Sequence, residues 1–297
     1  MWTRFICPDS VEVEISECLS KCRMEVRCVA RPTLEMFAKG RREWKGLIST
    51  TQALNGTRME YLRWKHDYAE SPCMRAFALL GTFHHLRYQR MDLPNSLSEE
   101  WLEDAMGSGM FDFYDAESCE LFDFKTVGSW KICRWLGKFQ MEEPTGEVFK
   151  SGPRKGQPKM KKLWSLREPE MGDLKLQLSR YAWMLMDAGF PVRRCWVQAT
   201  VRDFTAMTAR MYGLTRQVFL LEVPILSRET VVAFFQAKQF ALKHAIDNDE
   251  MPEICSPEER WDDRRCLGYC PVRQYCDYGV NLSTKEEHDG KEQDGEV

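Results

Sequence analysis

The chain has 297 residues, and its 42 lysines and arginines against 45 aspartates and glutamates give a formal net charge of −3. Hydrophobic residues make up 43% of the sequence, which excludes a disordered chain and allows a packed core. Neither a run of about 18 apolar residues nor an apolar signal segment is present, so we expect a cytoplasmic protein without a membrane span. In a reducing compartment, its 12 cysteines are expected to serve metal or redox chemistry rather than disulfides.

The first third of the chain is predicted to be helical after a cysteine-rich beginning at residues 1–32. Apolar residues recur at helical spacing over residues 33–45, 52–66 and 73–91, and we predict a helix in each range. The sequence Ser96-Leu97-Ser98-Glu99 has the pattern of a capping box. It predicts a fourth, short helix that ends near Met106.

The pattern then changes to strands. Apolar and polar residues alternate over residues 109–114 and 120–126, which predicts two neighbouring strands joined by a polar turn. A lysine-rich stretch at residues 150–162 contains no acidic residue, and we predict a loop that is either simply solvated or contacts phosphate groups. Its cations are Lys150, Arg154, Lys155, Lys159, Lys161 and Lys162.

The last third alternates between helices and strands. Helices are predicted from Asp173 to Met186 and from Arg228 to Ala245, and strands over residues 192–201 and 217–225. This alternation indicates a mixed α/β domain with helical additions, at residues 33–250. Residues 281–297 carry an excess of acidic groups without an apolar pattern, so we expect a disordered acidic tail there.

Eight cysteines form two groups of four with the same spacing, C-x10-C-x3-C-x5-C. The N-terminal quartet is Cys7, Cys18, Cys22 and Cys28, and the C-terminal quartet is Cys255, Cys266, Cys270 and Cys276. Four thiolates held by short loops are typical ligands of a zinc ion or an iron–sulfur cluster. We therefore predict metal-binding segments at residues 1–32 and 251–280. The other four cysteines lie in apolar segments and are expected to pack as small hydrophobic residues; they are Cys73, Cys119, Cys133 and Cys195.

Four short motifs follow one another in the α/β region. They are Gly81-x-x-x-His85, Gly109-x-x-Asp112, Asp123-Phe124-Lys125 and Gln177-x-x-x-Tyr181. Each motif alone is common in proteins without catalytic function. In a strand, residues two apart point to the same side, so Asp123 and Lys125 share a face and Asp112 on a neighbouring strand can stand beside them. Carboxylates are the ligands that Mg²⁺ prefers, so the set suits metal-assisted phosphodiester hydrolysis.

The order of these motifs resembles the PD-(D/E)XK nuclease superfamily, and most of all its RecB-type and CRISPR-associated iron–sulfur exonuclease branch, over roughly residues 48–278. The resemblance implies a PD-(D/E)XK core, in which helices flank a mixed central sheet. It also implies a site for Mg²⁺ or Mn²⁺, to which a histidine, two acids, a backbone carbonyl, a lysine, a glutamine and a tyrosine contribute. By match these are His85, Asp112, Asp123, Phe124, Lys125, Gln177 and Tyr181. His84 replaces His85 if the register is shifted by one residue.

The same branch holds a 4Fe–4S cluster at a C-terminal cysteine group, which the last three cysteines of the C-terminal quartet match. Its fourth cysteine stands near the N-terminus before a Pro-Arg pair, but this chain has Gly56 in the equivalent place, and its C-x3-C gap departs from the usual C-x2-C. Cys255 is the first choice for the fourth ligand, and Cys22 or Cys28 is the second. A self-contained quartet, repeated at the N-terminus, also fits zinc at both sites.

The motifs and the resemblance together predict a metal-dependent DNA nuclease, an exonuclease acting on single-stranded DNA or on duplexes with ends. By resemblance, its setting is recombination, repair or phage DNA metabolism in a bacterial or phage-infected cell, with recombination or replication proteins as partners. A second hypothesis is a nucleic-acid-binding module with an inactive nuclease centre, in which the metal sites stabilise the fold. A third is a site-specific endonuclease on the same core, which would produce discrete fragments.

Overall fold

The computed structural model of the chain describes residues 1–40, 46–88 and 93–282, except for the side chains of Phe77 and residues 83–88. These residues form a mixed α/β fold in which helices flank mixed sheets, as the sequence predicts. The assignment to a PD-(D/E)XK core with metal-binding ends stays a prediction. No helix among the described residues is both long and apolar enough to cross a lipid bilayer. The predicted acidic tail lies almost wholly outside the described ranges.

The described residues contain twelve strands. In chain order they are β1 (Trp2–Ile6), β2 (Glu12–Glu14), β3 (Tyr68–Glu70), β4 (Ser96–Ser98), β5 (Trp101–Asp104), β6 (Gly107–Met110), β7 (Phe113–Asp115), β8 (Glu120–Val127), β9 (Lys138–Val148), β10 (Pro158–Leu166), β11 (Arg194–Val201) and β12 (Val218–Val223). The strands predicted over residues 120–126, 192–201 and 217–225 are thereby confirmed.

The described helices are eleven, followed by one 3₁₀ turn at Arg273–Tyr275. They are α1 (Ile15–Ser20), α2 (Arg31–Lys39), α3 (Thr50–Ala53), α4 (Thr57–Lys65), α5 (Pro72–Tyr88), α6 (Ser129–Trp135), α7 (Gly172–Asp187), α8 (Ala206–Tyr212), α9 (Arg228–Asn248), α10 (Pro257–Arg260) and α11 (Arg264–Gly268). Serine or threonine side chains cap α3, α8, α9 and α10 by accepting a backbone N–H of the first turn. The predicted helices over residues 173–186 and 228–245 are confirmed as α7 and α9.

The central sheet has five strands in the order β12-β11-β8-β7-β4. β8 and β11 are parallel, with Asp123 opposite Val197, and the other neighbours are antiparallel. Leu121 and Asp123 are two residues apart in β8, so their side chains point to the same face, and both are buried. That face lies against α7, whose Leu174, Leu178 and Leu185 belong to the same hydrophobic core as Leu121 and Val197. The sheet thus carries Asp123 into the interface with α7.

A second hydrophobic core contains residues from both ends of the chain. β1 lies between β2, which is antiparallel to it, and β3, which is parallel to it. Phe5, Cys7 and Cys18 from the N-terminal segment and Val272 from the C-terminal segment are buried in this core, together with Tyr61 of α4. Residues of both cysteine-rich segments and of α4 therefore share one hydrophobic core.

Three elements before the Asp-x-Lys strand differ from the sequence prediction. Residues 96–106 form β4 and β5 instead of a helix, because β4 pairs with β7 and the backbone of Glu99 is left-handed at φ 54°. That conformation breaks a helix, so the apparent capping box is misleading. The predicted strand over residues 109–114 is interrupted at Phe111 and Asp112, between β6 and β7. The range 52–66 likewise divides into α3 and α4.

The predicted basic loop is also different, because much of it belongs to a long antiparallel hairpin. Lys138 of β9 pairs with Leu166 of β10 at the base of the hairpin, and Val148 pairs with Pro158 near its tip. Three lysines of β10 face glutamates of β9, in the pairs Lys159–Glu147 at 2.8 Å, Lys161–Glu143 at 3.8 Å and Lys162–Glu142 at 3.9 Å. The glutamates lie outside the acid-free stretch, so only the cross-strand pairing reveals them.

A buried ion pair joins the β5–β6 hairpin to α7. Arg180 is 2% exposed, and its Nη1 donates to Asp104 Oδ2 at 2.7 Å while its Nη2 donates to Oδ1. Its guanidinium also lies 5.3 Å from the centre of the Phe235 ring. Because Gly109 lies on the same hairpin and Gln177 on α7, this pair fixes the relative position of two predicted site motifs.

We expect the substitution Asp104→Ala to lower the free energy of unfolding by about 3 kcal/mol, because Arg180 would stay buried without its carboxylate partner. Chemical denaturation followed by circular dichroism measures the effect. The matched control is Asp187→Ala at the exposed Arg228–Asp187 pair, which has the same chemistry at 2.8 Å and should cost less than about 1 kcal/mol. Equal effects of the two substitutions would contradict an anchoring role for the buried pair.

Candidate functional site

Asp123 is held deep in the face of β8 that α7 covers, and it is 1% exposed. Lys125 Nζ donates to Asp123 Oδ1 at 2.7 Å, so the two side chains share a face as their spacing predicts. Gln177 Nε2 lies 3.4 Å from the same oxygen. The other oxygen, Oδ2, is buried and has no hydrogen-bond partner among the described residues. A buried carboxylate oxygen without a partner is costly, and it is a fitting ligand for a cation.

Asp112 stands beside this strand because the ladder between β7 and β8 ends at Phe113 and Phe122. Beyond that point, the backbone N–H of Phe124 donates to Asp112 Oδ2 at 2.7 Å instead of to a strand partner. Asp112 is 7% exposed. The interruption between β6 and β7 thus places a second buried carboxylate next to the peptide unit that follows Asp123.

Gly109 provides the space in which Tyr181 packs. A Cβ at residue 109 would lie 2.5 Å from Tyr181 Cε1 and 2.7 Å from Thr50 Oγ1, closer than atoms can approach. Burial raises the pKa of Tyr181 to about 12, although the positive charge of Lys125 opposes the shift. Tyr181 is therefore a neutral phenol. The glycine of the G-x-x-D motif and the tyrosine of the Q-x-x-x-Y motif therefore pack directly against each other in the fold.

The charge balance of this cluster favours a cation. Burial disfavours the Lys125 ammonium, but the charges of Asp123 and Asp112 outweigh that effect and raise its pKa. The Lys125 side chain is 30% exposed, so solvent reaches it. Two carboxylates and one ammonium leave a net charge of minus one, and a divalent cation would reverse it to plus one. That change of sign suits the binding of a phosphate group.

The predicted histidine cannot be placed in this cluster from the described side chains. His84 and His85 lie in α5, which packs beside β8, but their side chains are outside the described residues. Sequence reasoning missed Thr50, whose Oγ1 donates to the Ser108 carbonyl at 3.2 Å, because no motif surrounds it. It also gave Cys195 no place near the site. Burial raises the pKa of Cys195 to about 12, and the charge of Asp123 adds to the shift, so a neutral thiol lies close to that carboxylate.

All four cysteines of the C-terminal quartet line one small cavity of about 30 Å³. Arg58 lines it as well, and its Nη1 donates to Cys276 Sγ at 3.7 Å. A Cβ at residue 56 would overlap the sulfur of Cys255, so Cys255 stands where a side chain of residue 56 would project. Gly56 has φ −65° and ψ 133°, a conformation open to any residue. The structure thus brings Cys255, the first choice for the fourth ligand, next to Gly56.

Within the described residues, no group of three or more His, Cys, Asp or Glu side chains stands close enough together to hold one metal ion. The four C-terminal sulfurs share the lining of one cavity, and four cysteines are typical ligands of either an iron–sulfur cluster or a zinc ion. Burial raises the pKa of Cys266 to about 11. A bound cation is therefore needed to hold Cys266 as a thiolate near neutral pH.

The predicted phosphate-binding cations divide into two sets on the β9–β10 hairpin. Lys150, Arg154 and Lys155 lie in the exposed tip, and no acidic group forms an ion pair with them in the described part of the chain. The Arg154 guanidinium lies 5.1 Å from the centre of the Phe149 ring. The other three, Lys159, Lys161 and Lys162, are the lysines of β10 that face glutamates.

No family model and no curated protein matches the sequence. Among solved structures, the crystal structure of SSO0001 is 15% identical to this chain, with a TM-score of 0.41 over 83% of this chain and 93% of that one. A protein from Eubacterium rectale that bears the name "Putative exonuclease" is 6% identical, with a TM-score of 0.28 over 76% of this chain and 77% of that one. Similarity this low assigns neither a family nor an activity to the chain.

Proposed function

We propose that the chain is a metal-dependent DNA nuclease that removes nucleotides from strand ends. The observation that carries the proposal is Asp123 Oδ2, a buried oxygen without a hydrogen-bond partner among the described residues. Lys125 Nζ donates to the other oxygen of Asp123, and the Asp112 carboxylate accepts the backbone N–H of Phe124. A structural ion pair would use both carboxylate oxygens or leave the free one in water. A buried acceptor with no partner is instead what a hard cation such as Mg²⁺ or Mn²⁺ requires.

In the proposed site, Asp112 and Asp123 would hold the cation, and the Phe124 carbonyl and, by the resemblance alone, His85 would be further ligands. The bound ion supplies Lewis-acid activation of the scissile phosphate and the attacking water. Lys125 keeps its proton beside Asp123 and offers a positive charge to the phosphate as negative charge develops there. Gln177, within 3.4 Å of Asp123 Oδ1, orients that carboxylate.

The tip of the β9–β10 hairpin supports the choice of a nucleic acid as substrate. Its three cations have no acidic ion-pair partner among the described residues, and they lie exposed at the end of the antiparallel ladder. When exposed lysines and arginines bind a phosphate backbone, counterions are released from the nucleic acid. This release is the main source of nonspecific affinity. We assign phosphate contacts to Lys150, Arg154 and Lys155. The lysines of β10 are already neutralised by glutamates and contribute less.

The C-terminal quartet is proposed to hold a 4Fe–4S cluster with Cys255 as the fourth ligand. Its support is the arrangement of all four sulfurs around one cavity and the contact between Gly56 and Cys255. Arg58 places a positive charge against Cys276, which compensates part of the charge of thiolate ligands. The cluster would fasten the C-terminal segment to α4 and stabilise the fold, away from the reacting phosphate.

We expect Asp123→Asn to reduce Mg²⁺-dependent cleavage by a factor on the order of 10³ or more, because the amide keeps the shape and removes the charge that binds the metal. Lys125→Ala should act in the same direction. The assay follows end-labelled linear single strands and duplexes, with circular single-stranded DNA as the test for end dependence. Asp115→Asn is the control, since Asp115 lies in the same sheet but bonds within its own turn to Ser118.

Unchanged cleavage by the Asp123 variant would refute the assigned site. Cleavage of circular DNA into discrete fragments would favour a site-specific endonuclease. DNA binding by the wild-type protein without cleavage in Mg²⁺ or Mn²⁺ would favour the inactive binding module.

The two sets of hairpin cations give a matched comparison. Replacing Lys150, Arg154 and Lys155 by alanine should reduce the slope of log binding constant against log salt by about 2 for single strands, from three lost phosphate contacts. Replacing Lys159, Lys161 and Lys162 by alanine removes the same net charge and should reduce the slope by less than half as much. Equal slopes for the two triple variants would contradict a specific role for the tip.

The exchange between positions 56 and 255 tests the cluster ligands. Cys255→Gly should lower the iron content and the visible absorption of anaerobically purified protein, because one of four ligands is lost and the space beside residue 56 is cleared. Adding Gly56→Cys should restore both, since a side chain at residue 56 projects to the place of the Cys255 sulfur. Cys73→Ser is the control, since Cys73 is exposed; the prediction that Cys73 packs as a small hydrophobic residue is wrong. Full iron in the single Cys255 variant, or no recovery in the double variant, would contradict the assignment.

A further inference from the structure

The two cysteine quartets share a local backbone structure as well as a spacing. The second cysteine of each lies in a short helix, Cys18 in α1 and Cys266 in α11, and the third lies two residues beyond the end of that helix. The residue before the third cysteine donates its N–H to the carbonyl four residues back in both, Lys21 to Glu17 and Tyr269 to Arg265, at 2.9 Å each. The two segments therefore share a helical turn after the second cysteine, and they diverge at the residue before the third, where ψ is 119° at Lys21 and −2° at Tyr269.

An arginine between the third and fourth cysteines closes each helix in the same way. Arg27 donates to the carbonyls of Cys18 at 2.7 Å and Leu19 at 3.5 Å. Arg273 donates to the carbonyl of Leu267 at 2.8 Å. Leu19 and Leu267 each follow the second cysteine directly, so the repeated Cys-Leu sequence has the same partner in both places. Such bonds satisfy carbonyls at a helix end and hold the loop over it.

The N-terminal cysteines come from fixed positions in the second core. Cys7 follows β1, where its N–H donates to the Val11 carbonyl at 2.8 Å, and it is 9% exposed. Cys18 in α1 is 8% exposed. Cys22 and Cys28 are half-buried and lie in the irregular bends after α1. Cys7 and Cys18 are thus held next to β1 and within α1, whereas Cys22 and Cys28 lie in segments that form neither helix nor strand.

The local charge also suits thiolates. The segment from Cys18 to Cys28 carries Lys21, Arg23 and Arg27 against one acid, Glu25. Four thiolates around a divalent ion have a net charge of minus two, which nearby cations compensate. Arginines serve the same purpose at the C-terminal quartet, where Arg58, Arg260 and Arg273 line the cavity.

We propose that Cys7, Cys18, Cys22 and Cys28 form a structural zinc site, built on the same local unit as the C-terminal quartet. The four sulfurs do not yet stand at single-ion distances. Cys22 and Cys28 lie outside helices and strands, so the proposal assigns the movement that closes the site to these two cysteines. The bound ion fastens α1 and the end of β1, the strand that lies between β2 and β3. The free energy of zinc binding at such a site contributes to the stability of the fold. This contribution does not depend on the proposed nuclease activity.

Metal analysis of the full-length chain tests this proposal. We expect about one zinc per chain in protein purified under anaerobic conditions, with iron counted separately by mass spectrometry. Cys22→Ser should remove the zinc, whereas Cys266→Ser, in the C-terminal quartet, should retain it. Absence of zinc in the wild type, zinc retained in the Cys22 variant, or iron in place of zinc at this quartet would each overturn the proposal. DNA cleavage does not enter this readout, and Asp123→Asn should keep its zinc.

A measurement on the unmodified protein covers the case in which the Cys22 variant fails to fold. Native wild-type protein is treated with iodoacetamide with and without a zinc chelator, and labelling is located by peptide mass spectrometry. Cys22 and Cys28 are half-buried and accessible in part, so only a bound metal should protect them fully. We expect labelling of both to rise sharply when the chelator is added. Full labelling without chelator would overturn the proposal.

Discussion

The buried carboxylate of Asp123 is the constraint on which the rest of this structure depends. A charge that is 1% exposed is costly unless it is paired, and here only one of its two oxygens has partners among the described residues. Lys125 offsets part of the cost and, in turn, keeps its own proton. The burial cost that remains at Oδ2 favours cation binding, because a carboxylate with partners on both oxygens would gain little from a metal ion.

The surrounding fold is arranged to hold this carboxylate in place. α7 covers it with Gln177 and Tyr181, and Gly109 lets Tyr181 approach the β6 backbone. The Arg180–Asp104 pair fixes α7 to the hairpin that precedes Asp112. The two carboxylates therefore come from chain segments that are locked to each other by packing, as a preorganised site requires.

Sequence reasoning predicted the features that depend on a few consecutive residues. Strand alternation was enough to place Asp123 and Lys125 on one face, and helical spacing was enough to predict α7 and α9. Features that depend on distant neighbours were not accessible. The pairing of β4 with β7 overrides an apparent capping box, the glutamates of β9 meet the lysines of β10 only in the folded hairpin, and the sulfur of Cys255 meets Gly56 across about two hundred residues of chain.

The central claim is that Asp112 and Asp123 hold a divalent cation, and crystals soaked in Mn²⁺ test it most directly. Anomalous diffraction locates manganese without any assumption about activity. The account predicts a manganese peak within bonding distance of Asp123 Oδ2 and of the Asp112 carboxylate, and no such peak in crystals of the Asp123→Asn variant. Manganese bound only elsewhere, or no manganese beside Asp123 in the wild type at saturating concentration, would contradict the account.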